Sequence, residues 1–210
     1  MNNTVNNSGV TDPQGTQEYR SVADIIINHD MPVTETSSYN SLNVGYRPGE
    51  AQALQVKAEP NQANIVSVFD VAKYVLSRLD EPCTTMKLHK LLYYCQAWYL
   101  VWEDKPLFKE DIEAWANGPV IRALFNFHQG MYWAAINQLT LGNPSKLNAV
   151  QREDIDNVLT FYGDKTSQWL IDQTHIETPW LNARKGMLPN ERGNRIIPLE
   201  AISEYYSSLK

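Results

Sequence analysis

Apolar positions are thin and aperiodic over the first third of the chain and become regular from about position 67 onward. Val68, Val71, Ala72, Val75, Leu76 and Leu79 recur at three- and four-residue spacing, which predicts a helix. Ser67 followed by Asp70 supplies a start signal, and Pro82 closes the element. Thr84 or Thr85 then caps a second helix. In it Leu88, Leu91, Leu92, Cys95, Trp98, Tyr99 and Trp102 form one face, and Tyr94, Ala97 and Val101 widen it. A helix apolar around so much of its circumference is buried on several sides. We therefore expect a central buried helix over about 86–103, stopped by Glu103, Asp104 and Pro106.

The stretch 106–116 mixes Phe108, Ile112 and Trp115 with charges and predicts a turn and a small β-hairpin. Asn117-Gly118-Pro119 reads as a corner, with Pro119 at the first position of a helix that carries Val120, Ile121, Leu124, Phe125 and His128. Gly130 ends that helix. Residues 131–147 give only a helix fragment and a loop. Asn148 caps a helix that Gly163 breaks, and Thr166 caps a short one ending near His175. Thr178-Pro179 opens another, and Ile196-Ile197-Pro198 leads into a last one with Leu199, Ile202, Tyr205, Tyr206 and Leu209. The expected fold is mainly α: a compact multi-helix domain around the central helix, with at most a small hairpin.

Residues 1–66 are rich in Asn, Ser, Thr, Gln and Pro and bury too little apolar surface to offset chain entropy. They are expected to form an irregular N-terminal extension to a domain at 67–210. One apolar patch interrupts the polarity: Tyr19, Val22, Ala23, Ile25, Ile26 and Ile27. It suits either docking on the body or gripping a partner.

Charge narrows the partners. The net charge is −6, and the first 66 residues hold three basic against seven acidic side chains, −4 of that total. An acidic chain does not favour nucleic acid and suits a basic protein surface. Cys83 and Cys95 lack metal-ligand or redox spacing and read as reduced apolar fillers. The N-terminus has no basic and apolar signal regions, and no apolar run reaches the ~18 residues a membrane span needs. Together these point to a soluble, cytoplasmic protein with no membrane contact.

Candidate chemistry is sparse. There is no G-x-S-x-G elbow, no glycine-rich phosphate loop and no H-x-x-x-H pair among His29, His89, His128 and His175. No catalytic set, metal or cofactor is indicated. His89 could donate a proton, but a core-edge histidine bonded to the backbone is the commoner case. His175 with Glu177 could be an acid/base pair or a helix-end residue. Trp115 and Trp180 could stack a ligand but more often anchor a core or an interface.

Four segments carry more than periodicity. Lys87-Leu88-His89-Lys90-Leu91-Leu92-Tyr93-Tyr94-Cys95-Gln96 resembles the KLxKLLYYxQ helix of the Panacea domain, the SocA-like antitoxin or phage-associated GepA-like family. Pro106-Leu107-Phe108, Ile112 to Val120 (IEAWANGPV) and Thr174 to Arg184 (THIETPWLNAR) resemble its next three motifs, in order. The likeness runs from about Val68 to Leu209. It implies a non-enzymatic antitoxin, phage or prophage associated, that neutralises a cognate toxin by direct protein contact. A member that delivers its toxin to a cellular protease is the alternative, and a small hydrolase using His89 or His175 is a more distant one. The expected partner-binding residues are Tyr19, Ile25, Ile26 and Ile27 in the extension. On the domain they are His89, Tyr93, Trp115, Asn117, Gly118, Pro119, His175 and Trp180.

Overall fold

A computed structural model describes residues 66–209. Residues 1–65, including the Tyr19–Ile27 patch, and residue 210 lie outside the described part. Helix α1 spans Val68–Arg78. Its start is the predicted capping box: the Ser67 hydroxyl accepts from the Phe69 N–H, and the Asp70 carboxylate accepts from the Ser67 N–H. Glu110 adds a second carboxylate there, accepting from the Val68 N–H and the Ser67 hydroxyl. Negative charge at a helix N-terminus is favourable because the first N–H groups are otherwise unsatisfied. Val68, Val71, Ala72, Val75 and Leu76 form the buried face.

Helix α2 spans Thr85–Glu103, capped by Thr84 and closed by Asp104 in the left-handed region at φ 51°. Every residue from Leu88 to Leu100 is buried, so this helix has no polar face over its middle. It is packed by α1, by α4 (Ala149–Tyr162), α5 (Ser167–His175) and α7 (Leu199–Ser207), and by the β-hairpin. Helices α3 (Arg122–His128) and α6 (Thr178–Ala183) complete the set. The predicted mainly α domain around a central buried helix is observed. Asn148 and Gln151 make the capping box of α4, and Thr166 caps α5 as expected. Among the described residues no helix is long and apolar enough to cross a membrane.

Two details differ from the sequence expectation. The hairpin lies later than 106–116. Strand β2 (Ile112–Trp115) pairs antiparallel with β3 (Gly118–Ile121), with Trp115 opposite Gly118 and Ala114 opposite Pro119. Pro119 is thus a strand residue, and the helix begins at Arg122. Gly118 at φ +93° permits the tight reversal. The Ile121 N–H goes to the His89 ring rather than into a helix. The outer edge of β2 is covered by the segment before α7, through Ala114 N–H to Arg195 C=O and Ile197 N–H to Ile112 C=O, both 2.8 Å.

The second difference is in 131–147. Here Trp133–Ala134 forms β4, paired with β1 (Cys83–Thr84), and Pro144–Lys146 forms one 3₁₀ turn. The pairing partner lies some fifty residues upstream, so no local pattern could reveal it. Both cysteines are buried and free, and burial pushes the Cys83 thiol up to about 11.

The turn at 106–108 hangs on one side chain. Gln96 is fully buried; its Oε1 accepts from the Leu107 and Phe108 N–H groups and its Nε2 donates to the Phe108 C=O, each at 3.1 Å. Gln96→Leu leaves two buried N–H groups unsatisfied. It is expected to lower unfolding stability by about 2–5 kcal/mol in urea titration. A loss under about 1 kcal/mol would show that the staple is dispensable.

Candidate functional site

Three of the four motif segments converge at one corner, made by the β2–β3 turn, the end of α5 and α6. The Trp180 indole N–H donates to the Trp115 C=O at 2.9 Å, tying α6 to the hairpin. The Arg184 guanidinium is buried and donates to the Ala114, Leu188, Pro189 and Glu191 carbonyls at 2.9–3.1 Å. It also lies 5.3 Å from the Trp180 ring. Four carbonyls and an aromatic face stand in for a counter-ion, and they hold the loop after α6 against β2.

The outer side of the corner is aromatic. His175 stacks on Trp180 with ring centroids 4.3 Å apart and 16° between planes. Trp115 is half-buried against Phe125 at 4.6 Å, with the Arg122 guanidinium 4.9 Å from its ring. Its indole N–H and Arg122 both bond Glu113, at 2.7 Å for the indole and 2.6 and 2.9 Å for the guanidinium. That network fixes the Trp115 ring. Asn117, at the tip of the turn, is exposed, and Ile176 beside His175 is 67% exposed.

The floor is built by α2. Lys90 is fully buried with no carboxylate against it; its Nζ donates to the Pro119 C=O at 3.0 Å and lies 3.4 Å from Met86 Sδ. Burial lowers its pKa from the usual 10.5 to about 7. Gly118 sits directly on this amine: a Cβ there would be 2.5 Å from Lys90 Cε and 2.7 Å from Thr174 Oγ1. The glycine is needed both for its positive φ and for the space.

The sequence-predicted residues therefore divide. Trp115, Asn117 and His175 present surface. Gly118, Pro119 and Trp180 form the layer beneath them, with little exposure. His89 and Tyr93 are enclosed in the core. His89 Nδ1 accepts from the Ile121 N–H at 3.2 Å, and burial holds the ring neutral, its pKa pushed down to about 3. A ring so placed cannot serve as a proton donor near neutral pH. Tyr19, Ile25, Ile26 and Ile27 lie outside the described residues.

Glu177 corrects the acid/base reading of His175. The carboxylate turns inward, away from His175, and accepts from the Tyr94 hydroxyl at 3.1 Å and the Tyr206 hydroxyl at 2.8 Å. Burial raises its pKa from 4.5 to about 7, against the opposing pull of those hydroxyls. Glu177 thereby links the α5–α6 junction to α2 and α7. The sequence reading took it only as a partner of His175. The one available signal was a lone acid between an isoleucine and a threonine-proline start, which carries no hint of burial. Among the described residues no group of three or more His, Cys, Asp or Glu side chains could hold a metal ion.

Fold and corner together define a mainly α domain whose motif residues are joined by backbone-directed hydrogen bonds rather than by a catalytic relay. Residues 88–181 match the family model described as Antitoxin SocA-like, Panacea domain. Over that segment the chain is similar to this SocA-like Panacea family. No curated protein and no solved structure gives a significant match.

Two outcomes test this construction. Gly118→Ala is expected to lose about 2 kcal/mol or more of stability, since both φ and the Lys90 contact oppose a methyl group; a loss below about 0.5 kcal/mol would contradict the packing. For Glu177, the folded chain holds a proton between pH 4.5 and about 7 that the unfolded chain has released. Its contribution to stability is present below pH 4.5 and is lost as pH rises through about 7. The stability difference between wild type and Glu177→Gln should therefore shrink, or change sign against wild type, between pH 5 and 7.5. Lys90 works in the other direction and mainly above pH 7, because its folded pKa is lowered. A difference constant from pH 5 to 7.5 would refute the assignment.

Proposed function

We propose that this protein is an antitoxin that neutralises a cognate toxin by direct protein–protein contact, as part of a phage- or prophage-associated toxin–antitoxin pair. The observation that carries the reading is the Panacea-family match over residues 88–181, a segment that contains the hairpin and most of the motif corner. The geometry supports it in one further respect. The Trp115, Arg122, Trp180 and Arg184 donors at the corner are engaged internally, while His175 Nε2 has no partner among the described residues; the bonded groups favour a rigid recognition surface. We place toxin contacts on the exposed parts of Trp115, Asn117, His175 and Ile176, with the Tyr19 to Ile27 patch adding contacts. The acidic balance of the whole chain suits a basic partner.

The test is co-expression with the product of the neighbouring reading frame. That product is expected to arrest growth alone and to be harmless with the full chain, and the two should co-purify. Removing residues 1–60 is expected to weaken rescue, and Trp115→Ala with Asn117→Ala to weaken it further while the thermal midpoint stays within a few degrees. Growth arrest that persists with the full chain present, or rescue without any physical complex, would overturn the proposal.

A further inference from the structure

A second surface lies away from the motif corner. An open cavity of about 510 Å³ runs between the end of α1, strand β1, the end of α4 and the start of α5. Leu79, Pro82 and Leu159 give it apolar walls, and Trp133 stands at its side. Trp133 is 54% exposed, and its neighbour Tyr132, packed edge-on at 5.1 Å, is 68% exposed. Met131 and Ile136 in the same loop are also exposed. Backbone bonds hold this loop: β4 pairs with β1, and the Thr85 N–H donates to the Tyr132 C=O at 2.9 Å. Two large aromatic rings are thus kept in solvent on a fixed backbone, which is unusual unless something covers them.

The charges of the cavity decide what that is. Its cations are already engaged. Arg78 is paired with Asp156 at 2.9 Å, and Lys87 Nζ donates to the Gly163 C=O at the end of α4 at 2.7 Å. The helix starts that face it are closed as well. Thr84 and Thr166 accept from the Lys87 and Trp169 N–H groups, and the Thr84 and Ser167 hydroxyls bond each other at 2.7 Å. Asp164 is paired with Lys165 at 2.6 Å. Asp80 and Glu81 remain: both line the cavity, both are exposed, and neither makes a hydrogen bond or ion pair among the described residues. The unmatched charge is therefore negative, and it lies in the same cavity wall as an exposed indole.

We propose that this groove docks a basic segment of a partner protein. A lysine or arginine lays its stem and cationic head along Trp133 and Tyr132 and meets the carboxylates of Asp80 and Glu81. The aromatic faces attract the cation through their quadrupole, and the carboxylates add charge-assisted hydrogen bonds. Identifying this partner with the toxin rests on the function proposed above; the chemistry of the groove does not.

The full-length chain is titrated with acetyl-Gly-Arg-Gly-Arg-Gly-amide and with the corresponding glutamate peptide, and followed by NMR at the Trp133 indole and the Asp80 and Glu81 amides. The arginine peptide is expected to shift these resonances, to bind at least about tenfold more tightly than the glutamate peptide, and to weaken with added salt. D80K/E81K should lower its affinity at least about tenfold and W133A at least about threefold, with unchanged spectra elsewhere in the fold. Equal or absent shifts with the two peptides, or D80K/E81K binding like wild type, would overturn the groove. Rescue is read separately. Failure of the wild-type chain to rescue growth would count against the antitoxin function while the peptide result still decided the groove. Loss of rescue in D80K/E81K, with wild type rescuing, would support both.

Discussion

The structure depends on the way a helix with no polar face ties three of its buried polar side chains to neighbouring backbone, although His89 Nε2 has no partner among the described residues. From Leu88 to Leu100, α2 is enclosed, yet it carries His89, Lys90 and Gln96 in that stretch. Each reaches out to the backbone of one neighbouring segment. Gln96 holds Leu107 and Phe108, Lys90 holds Pro119, and His89 holds Ile121. Leaving any of these groups unpaired at full burial would cost a large part of a domain's net stability. The hairpin and the turn before it are therefore not decoration on a helical bundle. They are the hydrogen-bond partners that allow the central helix to be buried at all.

The same logic is repeated at the far end of the helix's cross-section. Tyr94 and Tyr206 hold the carboxylate of Glu177, and Tyr94 also stacks on Tyr162 at 3.9 Å. Four helical elements thus meet around one acid. Burial raises its pKa and lowers that of Lys90, so that both groups are pushed toward their neutral forms. Burying such groups costs desolvation, which the hydrogen bonds to Pro119, Tyr94 and Tyr206 offset. A core fixed by such groups suits a domain whose role is to present a rigid surface.

Two kinds of surface result. At the motif corner, Trp115 and His175 are immobilised by internal contacts with Glu113, Arg122, Phe125 and Trp180, so recognition there would require little ordering. On the loop after α3, Tyr132 and Trp133 stay exposed, and Trp133 shares a cavity lining with Asp80 and Glu81, which make no hydrogen bond or ion pair among the described residues. The first surface is read from sequence motifs, the second only from where the chain folds.

The helices themselves were legible from local chemistry. The Ser67–Asp70 start, the Asn148, Thr84 and Thr166 caps and the Thr178-Pro179 start act within a few residues, and so does the apolar period of α1 and α2. The four motif segments likewise marked the family from residue order alone. What sequence could not supply was anything depending on pairs distant along the chain. The hairpin's position turned on Ile121 bonding His89 rather than continuing a helix, and β4 exists only because it meets β1. Tyr93 and Gly118 read as candidate surface because motif residues carry no mark of depth, and packing puts them beneath it; His89, named as a contact residue but read more readily as a core-edge histidine bonded to the backbone, is that. Glu177 was weighed as an acid/base partner of His175, two positions away in sequence, beside a helix-end reading of that histidine. The tertiary fold turned it to Tyr94 and Tyr206 instead, because burial leaves a carboxyl group no choice but the hydroxyls it can reach.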